Sequence, residues 1–144
     1  MILDKENRFA DGQVVTATAI STNVIDLIKS GLNLGAGEEM LIQAAVKAAM
    51  TDTGSDSTVT VELVTDSADT MGSPVVVQTI GTFPALSAIG TKLTAKLQPS
   101  NAYERYIAVR FTVTGGNLTT GTFDAYLAKD ADLVKAYPSG FSAK

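Results

Sequence analysis

Asp52-Thr53-Gly54-Ser55 is the stretch most open to a catalytic reading. Aspartic proteases carry Asp-Thr-Gly at the active site, and a small retroviral-type enzyme supplies one Asp per subunit. Two carboxylates sharing one proton then activate water. The flap of such enzymes and their downstream hydrophobic-Gly-Arg stretch are not visible here. Ile89-Gly90-Thr91-Lys92 comes nearest and lacks the Arg. The same Asp-Thr-Gly-Ser makes a good hairpin turn, because Asp caps its own backbone and Gly accepts positive φ. The turn is the expectation.

The other candidates are weaker. Asp52, Asp56, Asp66 and Asp69 could suggest calcium, a cation that takes six to eight oxygens. Their spacing matches no EF-hand loop, so solvated turn carboxylates are expected. Gly35-Ala36-Gly37 runs into Glu38-Glu39, whose carboxylates would repel a phosphate. Asn117-Leu118-Thr119 matches a glycosylation sequon, but no secretion signal accompanies it. Tyr103, Arg105, Tyr106 and Arg110 form a small basic-aromatic cluster. Such a cluster can stack single-stranded bases. Tyr and Arg are also the usual anchors of protein interfaces, and a few cations on an acidic chain make a poor funnel for nucleic acid. A protein contact face is expected there.

Composition removes whole classes of chemistry. The 144 residues include no Cys, His or Trp. Thiolate and imidazole metal sites, cysteine nucleophiles and His-dependent triads are therefore excluded. A net charge of −4 argues against a duplex DNA binder. With 45% hydrophobic and 18% charged residues the chain is no disordered polyelectrolyte. Its length suits one domain. No run of eighteen apolar residues exists, so no membrane partner is expected.

The elements that must position these residues read as β-strands. Thr, Val and Ile make up 39 of the residues, and β-branched side chains suit a pleated surface. Val59, Val61 and Leu63 alternate with Thr58, Thr60 and Glu62. Ile107, Val109, Phe111 and Val113 share a face that parity also gives to Arg105, opposite Tyr106, Ala108, Arg110 and Thr112. Leu93, Ala95 and Leu97 alternate with Thr94 and Lys96, as Phe123, Ala125 and Leu127 do with Asp124 and Tyr126. Period two with one apolar face means half-buried antiparallel strands. Strands are expected near 13–20, 23–28, 39–48, 57–65, 75–80, 91–97, 104–114 and 121–128. Residues 38–50 are Ala-rich and have helical propensity, but bounding turns favour a strand. Residues 130–137 could be one helical turn or an extended tail.

About eight short strands separated by Gly- and Pro-bearing turns describe an all-β protein, an antiparallel β-sandwich of jelly-roll type. Residues 13–130 would form it. Residues 1–12 would be an N-terminal arm and 131–144 a C-terminal tail, each ordering against a partner or tucking onto its own domain.

The chain as a whole resembles the capsid cement (decoration) proteins of tailed bacteriophages, of the kind found on a Bordetella phage. The resemblance rests on the opening Met1-Ile2-Leu3-Asp4-Lys5, on Arg8-Phe9-Ala10-Asp11 and on the run from Thr16 to Leu27. It continues through the segment from Gly54 to Val61, Thr79-Ile80-Gly81-Thr82-Phe83-Pro84-Ala85, Glu104-Arg105-Tyr106, the segment from Leu118 to Thr122 and the ending from Leu127 to Phe141. Asp26 to Gly35 departs from the pattern. The resemblance implies a jelly-roll-like fold on the outer capsid surface of the virion, made in the host cytoplasm. It implies subunits, dimers favoured over trimers, that bind the major capsid protein and bridge capsomers. It implies no enzyme activity and no cofactor. Ile2, Leu3 and Phe9 on the arm, Tyr106 and Arg110 on the strand, and Tyr137 and Phe141 on the tail would then be the contacts. The competing reading is a carbohydrate-binding, tail or head-completion β-sandwich module of a phage. The lack of Trp platforms weighs against its lectin form.

Overall fold

The computed structural model describes residues 5–28 and 39–128. After a short 3₁₀ turn, η1 (Lys5–Asn7), come nine strands: β1 (Arg8–Val14), β2 (Ala19–Ile20), β3 (Ile25–Asp26), β4 (Leu41–Thr51), β5 (Thr58–Asp66), β6 (Val75–Phe83), β7 (Lys92–Lys96), β8 (Tyr106–Thr114) and β9 (Thr120–Ala128). They form two antiparallel sheets. One has the order β1-β9-β4-β7 and the other β2-β8-β5-β6, with β3 also pairing β8. Because β2 and β3 lie along the same strand, they act as one broken strand, and the two orders are then those of an eight-stranded jelly roll.

Alternation places the core. Val59, Val61 and Leu63 of β5 meet Ile107, Val109 and Phe111 of β8 on the inner face of one sheet. Ile42, Ala44 and Val46 of β4 and Phe123, Ala125 and Leu127 of β9 line the other. Phe123 joins the layers, with its ring centroid 5.3 Å from Phe111 and 5.5 Å from Phe83. The Ala-rich β4 is a strand because its inward positions are all apolar; burial overrides helical propensity.

The first strands differ from the sequence expectation. The expected strand 13–20 is divided between β1 and β2, and β1 begins at Arg8, inside the segment assigned to the arm. The cause lies in two register shifts along β1, which break the alternation that period-two reading needs. Gly12 sits in the second at φ 62°, donating its N–H to Asp124 Oδ1 at 2.6 Å.

Side-chain amides stitch the seams between the sheets. On one side Gln13 Nε2 donates to the Ile20 carbonyl and Gln13 Oε1 accepts from Thr22 N–H. Asn23 Nδ2 donates to the Arg8 carbonyl, and the Asn23 backbone N–H to the Phe9 carbonyl. On the other side Gln78 bridges β6 to the Lys96 carbonyl and to Gln98 N–H, while Asn101 Nδ2 donates to the Val77 carbonyl. These bonds cap backbone groups of the edge strands that would otherwise invite pairing with another chain.

Candidate functional site

The outward face of the five-stranded sheet carries the polar half of each alternating strand. Glu62 on β5 lies opposite Arg110 on β8, and their side chains meet at 2.9–3.0 Å. Thr112 Oγ1 also donates to Glu62. Thr58, Thr60 and Thr114 continue the face, and Thr60 and Thr82 exchange a hydroxyl bond at 3.0 Å. Toward the start of β8 the face turns apolar: Tyr106, Ile20 and Val24 pack around Val64, Met71 and Ala108.

Arg105 does not follow the parity that the strand pattern assigns it. The ladder starts at Tyr106, so the preceding residue is released from the pleat. Its guanidinium forks the Asp26 carboxylate, with contacts of 2.9–3.3 Å, and lies 5.0 Å from the Tyr106 ring centroid. The hydrogen bond to Asp26 raises its already high pKa. Tyr106 and Arg110 do share one face, as alternation requires. Tyr103 stands apart: its hydroxyl donates to the Gln98 carbonyl and its ring packs on the core.

Two adjoining hollows open beside this cluster. One, of about 750 Å³, is lined by residues that include Lys5, Glu6, Arg8, Phe9, Asp11 and Asn23. The other, of about 630 Å³, includes Glu6, Asn23, Asp26, Asp69, Arg105 and Tyr106. They share Glu6 and Asn23, and both lie toward the end of the sandwich where β1, β4 and β8 begin and β9 ends. At the opposite end the turns are tied down. Asp52 there accepts hydrogen bonds from Ser57 Oγ, Ser57 N–H and Asp56 N–H, of which the Ser57 hydroxyl does most to hold its carboxyl below the usual range. The Asp-Thr-Gly stretch is thus a turn braced by its own carboxylate, with Ser57 Oγ also lying 3.1 Å from the Gly116 carbonyl oxygen.

Asp66 works in the same way within the 66–73 loop. The N–H groups of Ser73 and Ala68, at 2.9 and 3.1 Å, hold its pKa down. Among the described residues no three His, Cys, Asp or Glu side chains converge as a metal ion requires, and no helix is long and apolar enough to cross a membrane.

Of the contact residues expected from the sequence, Tyr106 and Arg110 lie on the outward face described above. Phe9 does not: it is fully buried in its own core, because β1 turns it inward, and so is not available to a partner in this fold. Ile2, Leu3, Tyr137 and Phe141 lie outside the described residues, as do Gly35-Ala36-Gly37 and the segment 130–137. Asp26 and Glu62, which neutralise the two arginines, were not singled out by sequence reading. Glu62 could have been found from the cross-strand register opposite Arg110. No local signal marks Asp26.

The described polar surface groups of this jelly-roll domain brace turns, close seams and neutralise one another. A family model described as Bbp16 matches residues 9–127, and the chain belongs to the Bbp16 family, a bacteriophage protein family. No curated protein matches the chain.

Proposed function

We propose that this protein is a virion structural protein, a cement subunit that binds the outside of the major capsid shell and stabilises it by bridging capsomers. The observation that carries the reading is membership of a bacteriophage protein family across residues 9–127, in a chain whose overall pattern resembles capsid cement proteins. The geometry supports it. A sandwich with stitched seams resists edge-to-edge pairing, which a subunit made at high concentration before assembly must do. Association then falls to faces and loop ends. The apolar part of the outward face, around Tyr106, is the surface best suited to the second copy in a homodimer, since aromatic and Arg side chains anchor interfaces. Ile2, Leu3, Tyr137 and Phe141 are the proposed grips on the major capsid protein, each weak alone and multiplied by copy number.

The test is co-sedimentation of the purified chain with phage shells lacking it, followed by a heat or low-salt challenge. Saturable binding at a fixed ratio to the major capsid protein, with a tougher shell, is the expected result. A folded protein that fails to bind at high concentration removes the cement role and brings tail, head-completion or glycan binding forward.

A further inference from the structure

Asp11-Gly12 is the one Asp-Gly pair in the chain, which has no Asn-Gly. An aspartate followed by glycine is the pair most open to backbone isomerisation, because the second residue has no Cβ to hinder ring closure. The glycine nitrogen attacks Cγ of the aspartate in its carboxylic acid form. A C–N bond forms, a Cγ–O bond breaks, and the hydroxyl leaves as water with the proton from nitrogen. Water then reopens the five-membered imide. Addition at Cγ restores aspartate. Addition at the main-chain carbonyl breaks the original peptide bond and leaves isoaspartate, of unchanged mass, with one more carbon in the main chain.

The fold asks for both residues. Gly12 lies in the β1 register shift between Ala10 and Gln13 at φ 62°, where an added Cβ would be 3.1 Å from Lys47 Nζ, so the position favours glycine. Asp11 is exposed, and its carboxylate pairs with Lys47 Nζ at 3.2 Å and with Arg8. Lys47 Nζ also lies 3.7 Å from Asp124 on β9. Asp124 Oδ1 in turn accepts the Gly12 N–H at 2.6 Å. We propose that Asp11-Gly12 is a latent isoaspartate site, held shut in the fold by Asp124 and Lys47. The bond to Asp124 pins the Gly12 peptide plane to β9, so its nitrogen does not swing onto Cγ. Lys47 first, then Arg8, keep Asp11 ionised, and a carboxylate lacks the leaving group that the acid has. Both locks reach β1 from its neighbours, one from β9 and one from β4, so a local lifting of β1 opens them together. Phe9 is fully buried two residues before Asp11. An extra main-chain carbon at Asp11 therefore loosens β1 where it is anchored in the core. The site stands whether or not the chain is a cement subunit.

The test incubates the full-length chain at neutral pH and body temperature and counts isoaspartate at position 11 by peptide mapping with isoaspartyl methyltransferase. The folded chain is expected to accumulate it more slowly than the same chain in guanidinium chloride, by a factor on the order of ten. Asp124→Ala is expected to raise the folded rate about threefold or more, since one lock is gone. Gly115→Ala, in the turn between β8 and β9, strains the fold without touching either lock and serves as the control; it should stay near the wild-type rate. Where Asp124→Ala does not fold, Lys47→Met takes its place in that comparison. Equal rates in the folded and denatured wild-type chain overturn the proposal. A variant rate no higher than that of Gly115→Ala does so too. An Asp124→Ala rate below wild type also overturns it, because Asp124 would then be a base that assists the attack. Hydrogen exchange on the wild-type chain gives an independent reading: a Gly12 amide that exchanges as freely as in the denatured chain means that no lock is there.

Discussion

Asp52 and Asp66 hold their loops by accepting several hydrogen bonds as carboxylates, and both have pKa values below the ordinary range. Asp11, bonded to Lys47, is shifted the same way. Depressed folded values mean that this stability is fully present above the unfolded Asp value of about 4, and is lost as pH falls through the lower folded values. The melting temperature should therefore fall on acidification below about pH 4. Asp52→Ala should lower it at pH 7 and shrink the acid-dependent part, as a calorimetric pH series would show. Phe123 is the residue on which the core depends most visibly, since it touches an aromatic from each of two facing strands. Phe123→Ala should cost about 3–5 kcal/mol by denaturant titration. Phe9 shows the limit of reading single residues: among charges it looks like an exposed anchor, and only the pairing of β1 with β9 turns it inward.

At the scale of elements, the long regular strands were legible and the short or bulged ones were not. β5, β8 and β9 keep their alternation because one face of each is buried, fully in β5 and β9 and up to the half-buried Val113 in β8. β1 is bulged twice and β3 is two residues long, so neither sustains a period. The turn between β8 and β9 places Gly115 at φ 99°, where an added Cβ would lie 2.8 Å from the Asp56 carbonyl oxygen. Gly115→Ala should destabilise by about 1–3 kcal/mol, read from equilibrium unfolding. β6 poses a different problem. It is an edge strand within a stretch, residues 70–91, that holds no charge, and Val75 and Val76 are exposed. Asn101 caps the Val77 carbonyl on its edge, and the Gln78 side chain ties β6 across to Lys96 and Gln98. The double variant Gln78→Ala, Asn101→Ala should keep the β-sheet circular dichroism signal but aggregate faster on storage, as light scattering would record.

For the whole molecule, the lack of His and Cys means that no side chain with an ordinary pKa titrates between pH 5 and 8. Stability should be flat from pH 6 to 8; a melting temperature that moved there would point to an unrecognised perturbed group. Composition and alternation determined much without any structure. They set the all-β class, the two-layer sandwich, the turn role of Asp52 and the exclusion of thiol and imidazole chemistry, because these depend on residue type and on a period only two residues long. The seams, the Arg105–Asp26 fork and the inward turn of Phe9 were decided by tertiary structure alone. The fork and the inward turn of Phe9 depend on residues far apart in the chain, as Asp26 and Arg105 are, and the seams on which edge strands come together; local pattern carries no information about which strand will lie alongside.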